Sequence, residues 1–86
     1  MLLAGTAHAQ TAPQYFGLAE IGPGSDLSVR EEPDGAAAIV TRIPASVRQV
    51  RGYGCTNETP SGLTWCRVKY RGVVGWARRR YLVPAR

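Results

Sequence analysis

The chain has 86 residues, of which 44% are hydrophobic and 20% charged, with a formal net charge of +5. A chain this short makes one small domain with a limited core, and its composition is that of a folded chain rather than a disordered tail. No apolar run approaches the ~20 residues that a membrane-spanning helix needs, so no transmembrane segment is expected.

Residues 1–9, MLLAGTAHA, end in Ala7, His8 and Ala9, the A-x-A pattern that signal peptidase cuts. They are read as the remnant of a truncated secretory signal, cleaved before Gln10, with the true start lying upstream. The alternative is a flexible tail, and either reading keeps them out of the core. His8 is the only histidine, so its loss removes the usual general base and metal ligand.

Residues 10–14 read as a linker and 15–86 as the domain. Residues 15–21 make a first strand in which Gly17 weakens pairing or marks a bulge. Gly22, Pro23, Gly24, Ser25 and Asp26 signal a turn. In the next strand, 27–30, Leu27 and Val29 alternate inward, and an acidic loop follows at 31–35. Residues 39–43 form another strand, ended by Pro44. Val47, Val50 and Tyr53 are spaced by three, which predicts a strand over 47–54 with a bulge near Gln49. From Leu63 to Tyr70, Cys66, Val68 and Tyr70 alternate with Trp65, Arg67 and Lys69, as in a strand with one buried face. Arg71 and Gly72 then turn the chain into a returning strand at 73–77, completing a hairpin.

Taken in order, these segments resemble bacterial Src-homology-3 domains. Leu27-Ser28-Val29-Arg30 followed by Glu31, Glu32 and Pro33 is similar to their LNVR-x-x-P signature, and Ile43-Pro44-Ala45 to their I/L-P-x turn. Trp65, Val68, Gly72, Gly75-Trp76 and Tyr81-Leu82 resemble the W-x-x-V…G…GW…YL ending. The resemblance runs from about Tyr15 to Val83. It implies an all-β fold: a small SH3-like barrel of five to six short antiparallel strands. A short single-turn helix around 78–80 is expected before the last strand at Leu82.

Cys55 ends one strand and Cys66 lies in the next, so an antiparallel pair closed by the 56–62 loop would set them facing each other. A structural disulfide fits an exported chain with an even cysteine count. A redox pair or metal site is the alternative, but redox motifs put two residues between the cysteines and a metal would need ligands that are missing here.

Ten of the eleven basic residues lie from Arg42 onward, and five of the six acids lie between Glu20 and Asp34. Arg67, Lys69, Arg71, Arg78, Arg79 and Arg80 form a candidate basic patch interleaved with aromatics. Such a pattern suits anionic envelope polymers, phospholipid head groups or nucleic acid; a plain solvated face is the bland reading, and export makes nucleic acid unexpected. By the resemblance, Trp65 and Tyr81 match positions of the aromatic groove that binds proline-rich peptides in eukaryotic relatives. Glu31, Glu32 and Asp34 lie where an acidic loop flanks that groove. Two departures count against proline-rich recognition: the first strand lacks the tyrosine-rich motif, and no proline precedes the short helix. The Gly75-Trp76 position implies that Trp76 belongs to the core, whereas Trp65 is open to either role.

No nucleophile–base pair, phosphate-cradling loop or metal spacing appears, so neither catalysis, cofactor nor metal is expected. The resemblance implies a non-catalytic, exported binding module, periplasmic or extracellular and monomeric, whose first ligand class is peptidoglycan or its peptide stems. Two alternatives stand beside it. One is a domain docking an envelope protein through an aromatic groove or a free strand edge; the other is a small structural or inhibitory protein without a small ligand.

Overall fold

A sheet only a few residues deep can exclude water only by curling its apolar face onto itself, and the seven strands of this chain do so. The computed structural model describes residues 13–85; the signal-peptide reading, His8 included, lies outside them. The strands are β1 (Gln14–Leu18), β2 (Asp26–Arg30), β3 (Ile39–Pro44), β4 (Val50–Thr56), β5 (Trp65–Tyr70), β6 (Val73–Arg78) and β7 (Leu82–Pro84). They form one antiparallel sheet in the order β3-β2-β6-β5-β4-β1-β7. The fold is all-β and is the expected SH3-like barrel.

Every strand sends at least one side chain into a common core: Phe16, Leu27, Val29, Ile43, Val50, Cys66, Val68, Ala77 and Leu82. The bend that closes the sheet sits between β2 and β6, which share the single pair Arg30–Trp76. There Gly75 turns inward so close to β2 that a Cβ would lie 2.6 Å from Val29 Cγ1 and 2.7 Å from the Arg30 carbonyl oxygen. Only glycine lets the two strands approach that closely.

Several local expectations shift. Seven strands form rather than five or six, because β1 pairs on both sides and gives the three-residue β7 a partner. Gly17 marks no bulge; it pairs regularly with Val83, β1 pairing with β4 from Gln14 to Phe16 and with β7 from Phe16 to Leu18. The single helical turn is 3-10 and covers Arg79–Tyr81. The bulge in β4 lies not at Gln49 but at Tyr53 and Gly54, which together oppose Arg67 between the pairs Gly52–Val68 and Cys55–Cys66. Gly54, at φ 111°, takes the backbone strain there. Val50 points in and Tyr53 out, so the spacing of three did not describe one buried face. Cys55 and Cys66 are bonded, with Cα atoms 3.9 Å apart.

Candidate functional site

The connection from β1 to β2 is pinned at both ends. The Ala19 amide donates to the Tyr81 carbonyl at 2.9 Å, and the Ala45 amide to the Ser25 carbonyl at 3.2 Å. Between them the Ser25 amide donates to the Gly22 carbonyl at 3.0 Å, closing a turn that Gly24 completes at φ 81°. The segment therefore stands over one end of β5 and β6 and leaves an open cleft of about 390 Å³. Glu20, Ser25 and Asp26 line one side, and Trp65, Arg78 and Tyr81 line the other.

Trp65 is the unusual member. Strand alternation places it with Arg67 and Lys69 on the outer face of β5, paired to Arg78 on β6 and Thr56 on β4. Yet it is only 3% exposed, because the overlying segment and the Arg78 guanidinium, 5.8 Å from the ring centroid, cover it. Its Nε1 is buried and has no hydrogen-bond partner. A buried donor left unpaired costs about 1–3 kcal/mol of desolvation, and such groups in folded proteins call for a specific explanation.

Charge is mixed around the cleft. Glu20 accepts from Arg80 at 3.0 Å, and Asp26 lies 3.9 Å from Arg42. The hydrogen bond from Arg80 to Glu20 raises the Arg80 pKa above its already basic range, and the charges of Tyr81 and Glu20 add to the rise. Arg30 donates to the Ala37 carbonyl at 2.8 Å and so reaches the cleft wall with its head anchored. The lining groups are carboxylates, guanidinium groups, hydroxyls and an indole, without imidazole or thiol. Such a set holds a ligand by hydrogen bonds, charge and ring contact, and contains no activated nucleophile.

Two of the expected groove residues, Trp65 and Tyr81, share this cleft. Glu31, Glu32 and Asp34 do not line it, although neighbouring Gly35 does. Their loop folds on itself: the Glu31 amide donates to the Ala38 carbonyl at 2.8 Å, and the Asp34 side chain accepts from the Ala36 amide at 3.0 Å. The acids at the cleft are instead Glu20 and Asp26, which the sequence shows only as flanks of a glycine-rich turn. The six basic residues occupy different settings. Arg78 lies over Trp65, Arg79 over Phe16 and Arg80 over Tyr81, while Arg67 and Lys69 stand exposed on β5 and Arg71 in the following turn.

Trp76 corrects a further expectation. It is half-buried and lies outside the core cluster, paired with Arg67 on one side and Arg30 on the other. Cross-strand partners share a face, so the ring lies among outward-facing cations; its neighbours Gly75 and Ala77 take the inward positions.

Among the described residues no three His, Cys, Asp or Glu side chains gather as a metal site would require, and no helix is long and apolar enough to cross a membrane. In sequence comparisons, the model of the family described as bacterial SH3 domain matches residues 25–83. No curated protein and no solved structure matches the chain.

Proposed function

The chain belongs to the bacterial SH3 domain family, and we propose that it is an exported, non-catalytic binding module that takes peptidoglycan, through its peptide stems, in the cleft between Trp65 and Tyr81. Fold alone does not fix function, so the reading rests on the site. The observation that carries it is Trp65, which lines the cleft while its indole N–H is buried and unpartnered. A peptide stem brings backbone carbonyls and carboxylates that accept hydrogen bonds, together with amines. An acceptor that enters as the segment over Trp65 gives way relieves the orphan donor and meets Arg78, while an ammonium group finds Glu20 and Asp26 across the cleft. The disulfide supports export, since such bonds persist in oxidising compartments.

The test is co-sedimentation of the oxidised protein with purified insoluble peptidoglycan across a salt series. Trp65→Phe keeps a ring in the buried position and deletes only the donor. Retention that survives moderate salt and weakens about fivefold in Trp65→Phe, equivalent to one hydrogen bond of roughly 1 kcal/mol, supports the reading. Retention that vanishes with modest salt reports unspecific attraction to a basic surface. Absence of retention refutes wall binding and shifts the search to an envelope protein. The feature that such a partner would use is the free edge strand β3, where Ile39 and Val40 are 37% and 40% exposed.

A further inference from the structure

The outer face of the sheet continues past Trp65 toward the other end of β5, and there its character changes. Register aligns Tyr15 on β1 with Arg51 on β4, and Arg51 with Lys69 on β5. One row along, Arg67 on β5 lies opposite the bulge that carries Tyr53 and is paired with Trp76 on β6. Adjacent strands are about 4.8 Å apart, so on β1, β4, β5 and β6 three cations and three aromatic side chains occupy two neighbouring rows. No carboxylate holds a paired position in either row, and the two ion pairs found among the described residues, Arg42–Asp26 and Arg80–Glu20, use cations elsewhere.

Arg51 is the fixed point of this band. Its guanidinium lies 4.7 Å from the Tyr53 ring centroid and 5.8 Å from that of Tyr15. Its Nη1 donates to the Gly52 carbonyl at 2.7 Å. A guanidinium held between two rings has already lost much of its rotamer freedom, so less ordering is required when it meets an anion. No ion pair engages it among the described residues, and the two tyrosines are themselves half-exposed, at 40% and 49%.

From this arrangement we infer a second binding surface, distinct from the Trp65 cleft, in which Arg51, Lys69 and Arg67 take successive acidic groups of a linear anionic polysaccharide while Trp76 packs on its sugar rings. Arg51 already covers one face of each tyrosine ring, which leaves less aromatic surface than the stacking platforms of single-stranded nucleic acid sites use. The disulfide also favours a partner outside the reducing cytosol. A bilayer needs a contiguous apolar surface to enter the interface, and in these rows Val74, paired with Lys69, is the one aliphatic side chain.

The test compares polygalacturonate, a carboxylated linear glycan, with neutral dextran of matched length by isothermal titration at fixed moderate salt. Arg51→Gln with Lys69→Gln is set against Arg42→Gln with Arg80→Gln, which removes the same charge from outside the band. Circular dichroism confirms that each variant is folded. The expected result is binding to polygalacturonate and not to dextran, weakened at least tenfold by the band pair and less than twofold by the control pair. Arg51→Lys keeps the charge but loses the stacked fork, and is expected to weaken binding at least threefold. Trp65→Phe leaves this binding unchanged, which separates the band from the peptidoglycan cleft. Equal losses in the two double variants would reduce the effect to net charge and overturn the inference. Band-dependent binding tighter to a single-stranded oligonucleotide or to anionic vesicles would overturn the choice of partner.

Discussion

Reduction of the Cys55–Cys66 bond measures how far this small barrel depends on an oxidising environment. The bond closes a loop with a sequence separation of 11. The chain-entropy relation then gives about 9 cal/mol/K, or roughly 2.8 kcal/mol at 25 °C. Reduction isolates the cross-link, because the freed Cys66 thiol remains a small apolar group in the core position that it now fills. Domains of this size have a total stability of roughly 4–13 kcal/mol, so the bond supplies a large share. The assay is urea unfolding followed by tryptophan fluorescence, with and without reductant. For a slope of ~1 kcal/mol/M the midpoint should fall by 2–3 M, and Tm should fall by about 10–20 °C. Cys55→Ala with Cys66→Ala should unfold early in both conditions and no longer respond to reductant. A reductant effect below about 1 kcal/mol would refute the argument and with it the use of this bond as a sign of export.

Gly75→Ala should destabilise by roughly 1–3 kcal/mol in the same assay, because the new Cβ meets the backbone oxygen of Arg30 at 2.7 Å and cannot push a mere side-chain end aside. Gly35→Ala, where nothing lies within 4 Å, should change stability by no more than about 0.5 kcal/mol; equal effects would contradict the close approach of β2 and β6. Arg71 and Gly72 sit at φ 51° and 84°, the left-handed pair of a two-residue hairpin turn that prefers Asn-Gly. Arg71→Asn should therefore raise stability by up to about 1 kcal/mol, seen as a higher urea midpoint, and a lower midpoint would show that the arginine stabilises the turn in another way.

Most of the barrel is legible in short-range patterns because its strands are half-buried. Leu27 and Val29, and again Cys66 and Val68, alternate with polar neighbours and are buried as that period requires. The candidate site is far less legible, because long-range contacts decide it. Alternation puts Trp65 on the outer face of β5, but a segment some forty residues earlier, together with Arg78, covers it. Trp76 fails for the opposite reason: the tight crossing of β2 and β6 demands glycine at the inward position, and the adjacent tryptophan is left outside. Arg78, Arg79 and Arg80 look like one cluster on paper. They lead into and through a 3-10 turn, which rotates successive side chains by about 120°, so their guanidinium groups reach three different rings. Tyr15, Arg51 and Tyr53 form no local motif at all; sheet register and a bulge assemble them.

The distribution of charge has its clearest reading in recognition rather than in folding. Three of the six strand-borne cations, Arg51, Arg67 and Lys69, form the outward-facing band, while every acid but Asp26, at the very start of β2, lies in a connection between strands. Exposed ion pairs contribute little to stability, and the fold stands on the nine-residue apolar core, to which none of these charges belongs. The unpaired cations carry a cost in mutual repulsion that the core does not need. A patterned field at a surface instead raises the local concentration of an oppositely charged partner and orients its approach. The rim of the Trp65 cleft carries charges of both signs, whereas the open band carries cations alone. Under the proposed function, a wall fragment that carries both an amine-bearing peptide and an acidic chain would be aligned along the strands before it makes contact. Because the core takes no part, this alignment can be altered by substitution while the barrel remains folded.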